Sequence, residues 1–345
     1  MFLARAELLF AKGRSALMVT VVALMTILVG FLSGLTGGLA NANVSALTSL
    51  DPDHTVFSVP QGEEASYDRS SISSEQLDAY ERAGDVRALG VATAAIERGE
   101  RTTPIALFGI DERGAGPDSI VVPRSVADDL GVTEGDTVRL AGTELTVGGI
   151  EPDLEYSHMP VAWVDLSVWQ DYERATGQPE SAASVLLVSG EDPGLDGSEG
   201  TVTKSGVSAL MAVDSLRAEV SSLAAIIVML VVVSALVTGV FFLVWTMQRK
   251  KDFAVLKALG APTGYLVRDT LSQALIVLAL GATIGLGITY GAGAALRGVM
   301  PFLLHPLLLL APPVLMILVG LLGSLLSIRQ VTSADPLEAL SAAAN

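Results

Sequence analysis

The chain has 345 residues, 50% of them hydrophobic and only 17% charged, with a formal net charge of −16 and no cysteine. Soluble domains carry closer to about a quarter charged residues, so the apolar excess points to a membrane protein. Without cysteine there is no disulfide framework, zinc–thiolate site or lipoprotein anchor, and the negative charge argues against nucleic acid as a partner.

The charge is unevenly placed. Between Asn41 and Ser222 there are 32 acidic and 11 basic residues, whereas the remainder holds 5 acids and 10 bases. The first region reads as a hydrophilic acidic domain, and the rest as membrane spans with basic edges.

Four apolar runs reach the roughly 20 helical residues that cross a bilayer core. They predict spans at 15–40, 223–247, 270–296 and 301–328, none with a charge in its middle. The first run, with its basic start and Ala40-Asn-Ala42, also has the outline of a signal peptide. Its length and glycine content favour a retained span. Gly30, Gly34 and Gly38 recur every four residues there, as do Gly281 and Gly285, then Gly287 and Gly291, in the third. In lipid, such faces let backbones approach closely, either inside the chain or at a dimer seam or moving gate.

Basic flanks set the orientation. Arg5, Lys12 and Arg14 precede the first span. Arg249, Lys250, Lys251, Lys257 and Arg268 lie between the second and third, and Arg329 follows the fourth. The 1–14 segment, the 248–269 loop and the 329–345 tail are therefore expected in the cytoplasm. Segment 41–222 and the short 297–300 loop are expected outside.

The acidic domain reads as mixed α/β. Residues 73–83, 122–131 and 166–177 have helical patterns, the second closed by Gly131. TVRL (137–140) and TELTV (143–147) alternate like paired strands around Ala141-Gly142. Residues 159–166 and 181–190 read as further strands, and 190–200 as a solvated loop.

The chain has no Gly-x4-Gly-Lys-Ser/Thr loop for ATP, no His-Glu-x-x-His and no Gly-x-Ser-x-Gly. No ionisable residue sits mid-span, which disfavours a proton-coupled transporter. The expectation is a non-enzymatic membrane subunit driven by a partner ATPase.

Two segments carry a family resemblance. QRKKDFAVLKALGAP (248–262) resembles the R-x-E-I-G-x-L-K-A-L-G-A segment of the FtsX/MacB superfamily of ABC permeases, and IRQVTSADPLEAL (328–340) resembles its D-P-x-E-A-L-R tail. The resemblance implies a type VII ABC permease: four transmembrane helices with a mixed α/β extracytoplasmic domain between the first and second. It also implies a homodimer working with two copies of a separate ATPase. Lys250, Asp252, Phe253, Leu256, Lys257 and Gly260 would form the coupling segment, a short amphipathic helix docking in a groove of that ATPase. Asp252-Phe253-Ala254 replaces the usual Glu-Ile-Gly, which alters the apolar contact.

Within the superfamily, YSHMPVAWVD (156–165), Trp169-Gln170, AELLFAKGR (6–14) and LSGLTGGL (32–39) are similar to the haem-exporting permeases of Gram-positive bacteria. The Lys-poor, Ala- and Gly-rich composition suits an actinobacterium. That resemblance implies haem as transported substrate, with no intrinsic cofactor, and export by mechanotransmission. Haem iron accepts His, Met and Tyr ligands. Tyr156, His158 and Met159, with Glu155 beside them, share one loop, and in a strand Tyr156 and His158 would face one side. Met18, Met25 and Met229 lie in spans, and Arg217 is a candidate partner for a propionate. His54 reads as a surface turn residue and His305 as structural. Export of another amphiphile (a glycolipid, lipoprotein or antimicrobial peptide) stays open, as does a non-transporting FtsX-like regulator of a cell-wall hydrolase.

Overall fold

The computed structural model describes residues 12–60, 62–114, 116–195, 200–248, 255, 260, 262–296 and 299–332. It divides into two compact units, one of residues 39–221 and one of the chain on either side. Among the described residues, four helices are long and apolar enough to cross a membrane: α1 (Lys12–Ser49), α6 (Asp214–Gln248), α7 (Thr263–Ala295) and α8 (Pro306–Thr332). Residues 301–305, expected to open the fourth span, are not helical.

Glycines assemble the membrane unit. A Cβ on Gly281 would lie 2.6 Å from Val22 Cβ, and one on Gly285 would lie 2.8 Å from the Ala23 carbonyl, so α7 runs against the backbone of α1. At Gly323 a Cβ would stand 3.2 Å from Gly239 Cα, so α8 also approaches the backbone of α6. Lipid tails offer no hydrophobic force between helices, and this backbone proximity supplies dispersion contact instead. Met18, Val22, Ala274, Val277 and Leu278 fill the centre.

The Gly30–Gly34–Gly38 stripe is occupied by the chain itself. A Cβ at Gly30 would meet Thr289 at 3.3 Å, one at Gly34 the Phe302 ring at 2.2 Å, and one at Gly38 the Pro301 carbonyl oxygen at 1.8 Å. Phe302 also stacks on Phe31 with centroids 5.2 Å apart, and the Leu303 amide donates to the Gly34 carbonyl at 3.0 Å. The non-helical 301–305 segment is thus wedged into the glycine notch. On this face the glycines serve packing within the chain. A Cβ on Gly287 or Gly291 would meet nothing within 4 Å among the described residues.

The 39–221 unit contains β1 (His54–Ser58), α2 (Ser74–Ala83), β2 (Asp85–Arg98), β3 (Arg101–Gly109), β4 (Ser119–Pro123), α3 (Arg124–Leu130), β5 (Thr137–Leu140), β6 (Thr143–Glu151), β7 (Glu155–Tyr156), β8 (Met159–Val164), α4 (Leu166–Ala175), β9 (Val185–Ser189), β10 (Thr201–Ser205) and α5 (Gly206–Leu210). Strand order is β10-β1-β9-β2-β3-β8-β4-β6-β5, with β7 paired to β8. The 14-residue β2 serves two structures. Its first half pairs with β9, and its second half with β3. Ile96 and Glu97 then pair with Leu140 and Arg139 of β5, closing β2-β3-β8-β4-β6-β5 into a ring. The ring interior holds Ile96, Ile105, Leu107, Val122, Leu145 and Val147, with Leu130 of α3 packed among them.

Local chemistry explains several boundaries. Ser73 caps α2 through the Gln76 amide, and the Gln76 side chain returns the bond. Gly131 ends α3 with φ +65°, and Ala141 and Gly142 turn the β5–β6 hairpin at φ +45° and +87°. Trp169 of α4, 1% exposed, lies over Gly90 and Gly109, which face each other across β2 and β3. A Cβ on either would come within 2.4 Å of that side chain.

Candidate functional site

The β7–β8 hairpin turns on Ser157 and His158, both left-handed at φ +52° and +63°. Tyr156 pairs with Met159 across it. His158 is therefore a turn residue, and it does not share a strand face with Tyr156 as expected. Left-handed backbone favours glycine and costs a histidine energy. Here the amides of Ser157 and His158 donate to the carbonyls of Asn43 and Ala42, both at 3.1 Å, and hold the turn against α1.

A polar chain fixes the imidazole. His158 Nε2 lies 2.6 Å from Glu219 Oε1. Asn43, 0% exposed, donates from Nδ2 to Glu219 Oε2 at 2.9 Å and to the Leu39 carbonyl at 3.0 Å. Its Oδ1 accepts from Ser215 Oγ at 2.5 Å, and Ser157 and Ser215 hydroxyls are 2.7 Å apart. Both protons of the Asn43 amide are then in use, which assigns its orientation. The short contact of Nδ2 with His158 Nε2, 3.1 Å, needs no bond, and Nε2 carries a proton that it gives to Glu219. The ring side chain remains 40% exposed.

Tyr156 faces the other way. It is 2% exposed, packs edge-on to Phe108 and Tyr67, and donates its hydroxyl to Asp68 Oδ1 at 2.9 Å. Burial raises its pKa, and the Asp68 charge raises it further. Burial likewise lifts the Asp68 carboxyl above its ordinary 3.8, against the Tyr156 hydrogen bond, which lowers it. Burial pushes Tyr67 up to about 12. Glu155 is half-buried, its carboxyl also raised by burial, and Met159 packs on the domain core. These side chains build the hairpin root.

Arg217 is already committed. Its guanidinium pairs with Glu64 and, at 2.5 Å, with Asp214, while Ser66 donates to Asp214 at 3.0 Å. A free cation for a propionate is absent at this position. His54 is the first residue of β1, opposite Val188 and Ser205, rather than a turn residue. His305 is exposed, and its carbonyl accepts the Leu309 amide at the start of α8.

In the membrane unit, Met18 is core at 3% exposure. Met25 is partly buried and accepts from Ser234 Oγ at 3.5 Å. Met229 is 70% exposed on α6. Of the coupling residues, Lys250, Asp252, Phe253, Leu256 and Lys257 lie outside the described residues, as does the 333–345 tail. Gly260 is a turn at φ +90°, and Pro262 is the N-cap of α7.

Sequence reasoning missed Asn43, Ser215, Glu219 and Asp68. Asn43 and Glu219 are single polar residues between apolar neighbours, and Ser215 and Asp68 each sit beside a charged residue, so no local motif marks any of them. The partners that matter are 58 to 176 residues away.

Residues 224–336 match the FtsX-like permease C-terminal family. Over these residues the chain carries an FtsX-like permease domain. Over its full length it is similar to the hemin transport system permease protein HrtB of Staphylococcus epidermidis, 25% identical with 99% of each chain covered. HrtB of Staphylococcus haemolyticus gives the same identity and coverage. An uncharacterised ABC transporter permease of Mycobacterium tuberculosis is 27% identical over 73% of each chain. The periplasmic region of MacB from Actinobacillus actinomycetemcomitans covers 44% of this chain and 87% of its own at 14% identity, with a TM-score of 0.33.

Proposed function

We propose that this chain is the membrane subunit of an ATP-driven exporter that removes haem from the bilayer. A separate ATPase, two copies per homodimer, hydrolyses the ATP and docks on the 248–269 segment. The 39–221 domain lies outside the cytoplasm and transmits the stroke mechanically. The observation that carries this reading is the end-to-end similarity to HrtB. The absence of any phosphate-binding loop in the sequence fits an energy source on another chain.

His158 is the leading iron ligand of the hairpin. Its ring is partly exposed, and a carboxylate on Nε2 orients it as carboxylates orient metal-bound imidazoles elsewhere. Nδ1 is then the atom for incoming iron. Met229, exposed on an apolar helix, and Met25 are soft alternatives. Tyr156 and Arg217 act structurally.

The test is a haem titration of the purified chain in nanodiscs, followed by its Soret band. A saturable shift is expected, weakened by His158→Ala or Met229→Leu and unchanged in Tyr156→Phe variants that fold. No shift beyond that of empty nanodiscs would reject haem. The second reading, export of another amphiphile by the same device, then takes its place.

A further inference from the structure

We infer that the groove between α7 and α8 is a binding site for one anionic phospholipid. The groove has a volume of about 930 Å³ and is walled by Val267, Leu271 and Leu275 on one helix and Leu318, Leu322 and Leu325 on the other. These spacings place each set on a single face of its helix. Both helices are long and apolar enough to cross a membrane, so the medium against these walls is lipid.

Two observations narrow the occupant from lipid in general to one bound molecule. The lining runs from Thr263 to Leu275 on α7, about 18 Å at the helical rise and so a little over half of the roughly 30 Å hydrocarbon core. That matches the depth of a single leaflet and hence one acyl chain. Near the Thr263 end the lining changes from apolar to cationic. Arg268 is exposed there and makes no ion pair among the described residues. Thr263 and Ser272 add hydroxyls, with Ser272 donating to the Arg268 carbonyl at 2.7 Å. The neighbouring acid, Asp269, is turned inward: one oxygen accepts from Gln273 at 3.0 Å and the other is buried. A phosphate at Arg268 with its chain against the leucines satisfies both ends. Basic pockets between helices at the membrane surface select anionic headgroups in this way. The basic residues of 249–257 place the same end in the leaflet facing the positive loop.

Gly264 gives the means to block the site. Gly264 lines the groove, and a Cβ there meets no described atom within 4 Å, which makes it the place to introduce a large side chain. The experiment is native mass spectrometry of the full-length chain with added phosphatidylglycerol or phosphatidylcholine, for wild type, Arg268→Gln and Gly264→Trp. Wild type is expected to retain one phosphatidylglycerol in preference to phosphatidylcholine. Arg268→Gln is expected to reduce that preference by about fivefold, the worth of one basic residue near a charged lipid surface. Gly264→Trp is expected to remove the retained lipid. Equal retention of the two lipids by wild type, or a preference untouched by Arg268→Gln, overturns the proposal. So does a Gly264→Trp chain that keeps the lipid but loses a second copy or a bound protein, because the groove is then a protein contact.

Discussion

The two units of this molecule are held together by opposite means. In the 39–221 domain, large side chains meet: Trp163, Phe108, Tyr156, Tyr67 and Phe57 form a continuous train of edge-on rings. In the membrane unit, small residues let backbones meet, at Gly281, Gly285 and Gly323. Water makes apolar area worth burying. Lipid does not, and only close approach stabilises helix against helix. The two units should therefore fail in different ways when mutated.

The largest effect should come from Trp169→Ala in the domain. Removing this ring opens a cavity above Gly90 and Gly109, and thermal unfolding should show a loss of about 3–5 kcal/mol. The reverse operation tests the membrane unit. Alanine at Gly38 should cost up to about 3 kcal/mol, at Gly34 less, and at Gly30 under about 1 kcal/mol, because the obstacle changes from backbone to ring to a relaxed methyl contact. Phe302→Ala should rescue Gly34→Ala but leave Gly38→Ala impaired, a double-mutant cycle readable in detergent melting curves. Equal costs at all three glycines would break the comparison.

Polar groups give smaller effects. The Asp68 carboxyl is raised in the folded state, so its stabilising contribution is complete below its unfolded pKa and is lost as pH rises through the folded value. Tyr156→Phe leaves that carboxylate without its donor and should cost about 1–3 kcal/mol at neutral pH. The loss should shrink on acidification toward pH 4, as a melting series in pH would show. Asp68→Asn, which still accepts the hydroxyl, should flatten that pH dependence. Arg217→Ala should cost least, about 1 kcal/mol or below, because its partner Glu64 is 77% exposed and water screens the pair.

The spans were legible because four long runs lacked charge, and the β5–β6 hairpin because Ala141-Gly142 interrupts two alternating strands. β2 was not legible. Its partners change from β9 to β3 midway, so its burial pattern follows no single period. Helices α1 and α6 also run past their apolar segments into polar sequence, to Ser49 and from Asp214. For that reason Asn43 and Glu219, the two residues that fix His158, fell outside any recognisable motif. His158 itself could be picked out as a rare histidine beside tyrosine and methionine. The left-handed turn that separates it from Tyr156 depends on carbonyls of α1 that only the fold supplies.

The most direct test of the central claim is growth in haem. Deleting the gene for this chain should make its host hypersensitive to haem, and expression of the wild-type chain should restore tolerance while His158→Ala restores less. A deletion strain that tolerates haem as well as its parent would contradict haem export and leave an ABC permease for another amphiphile.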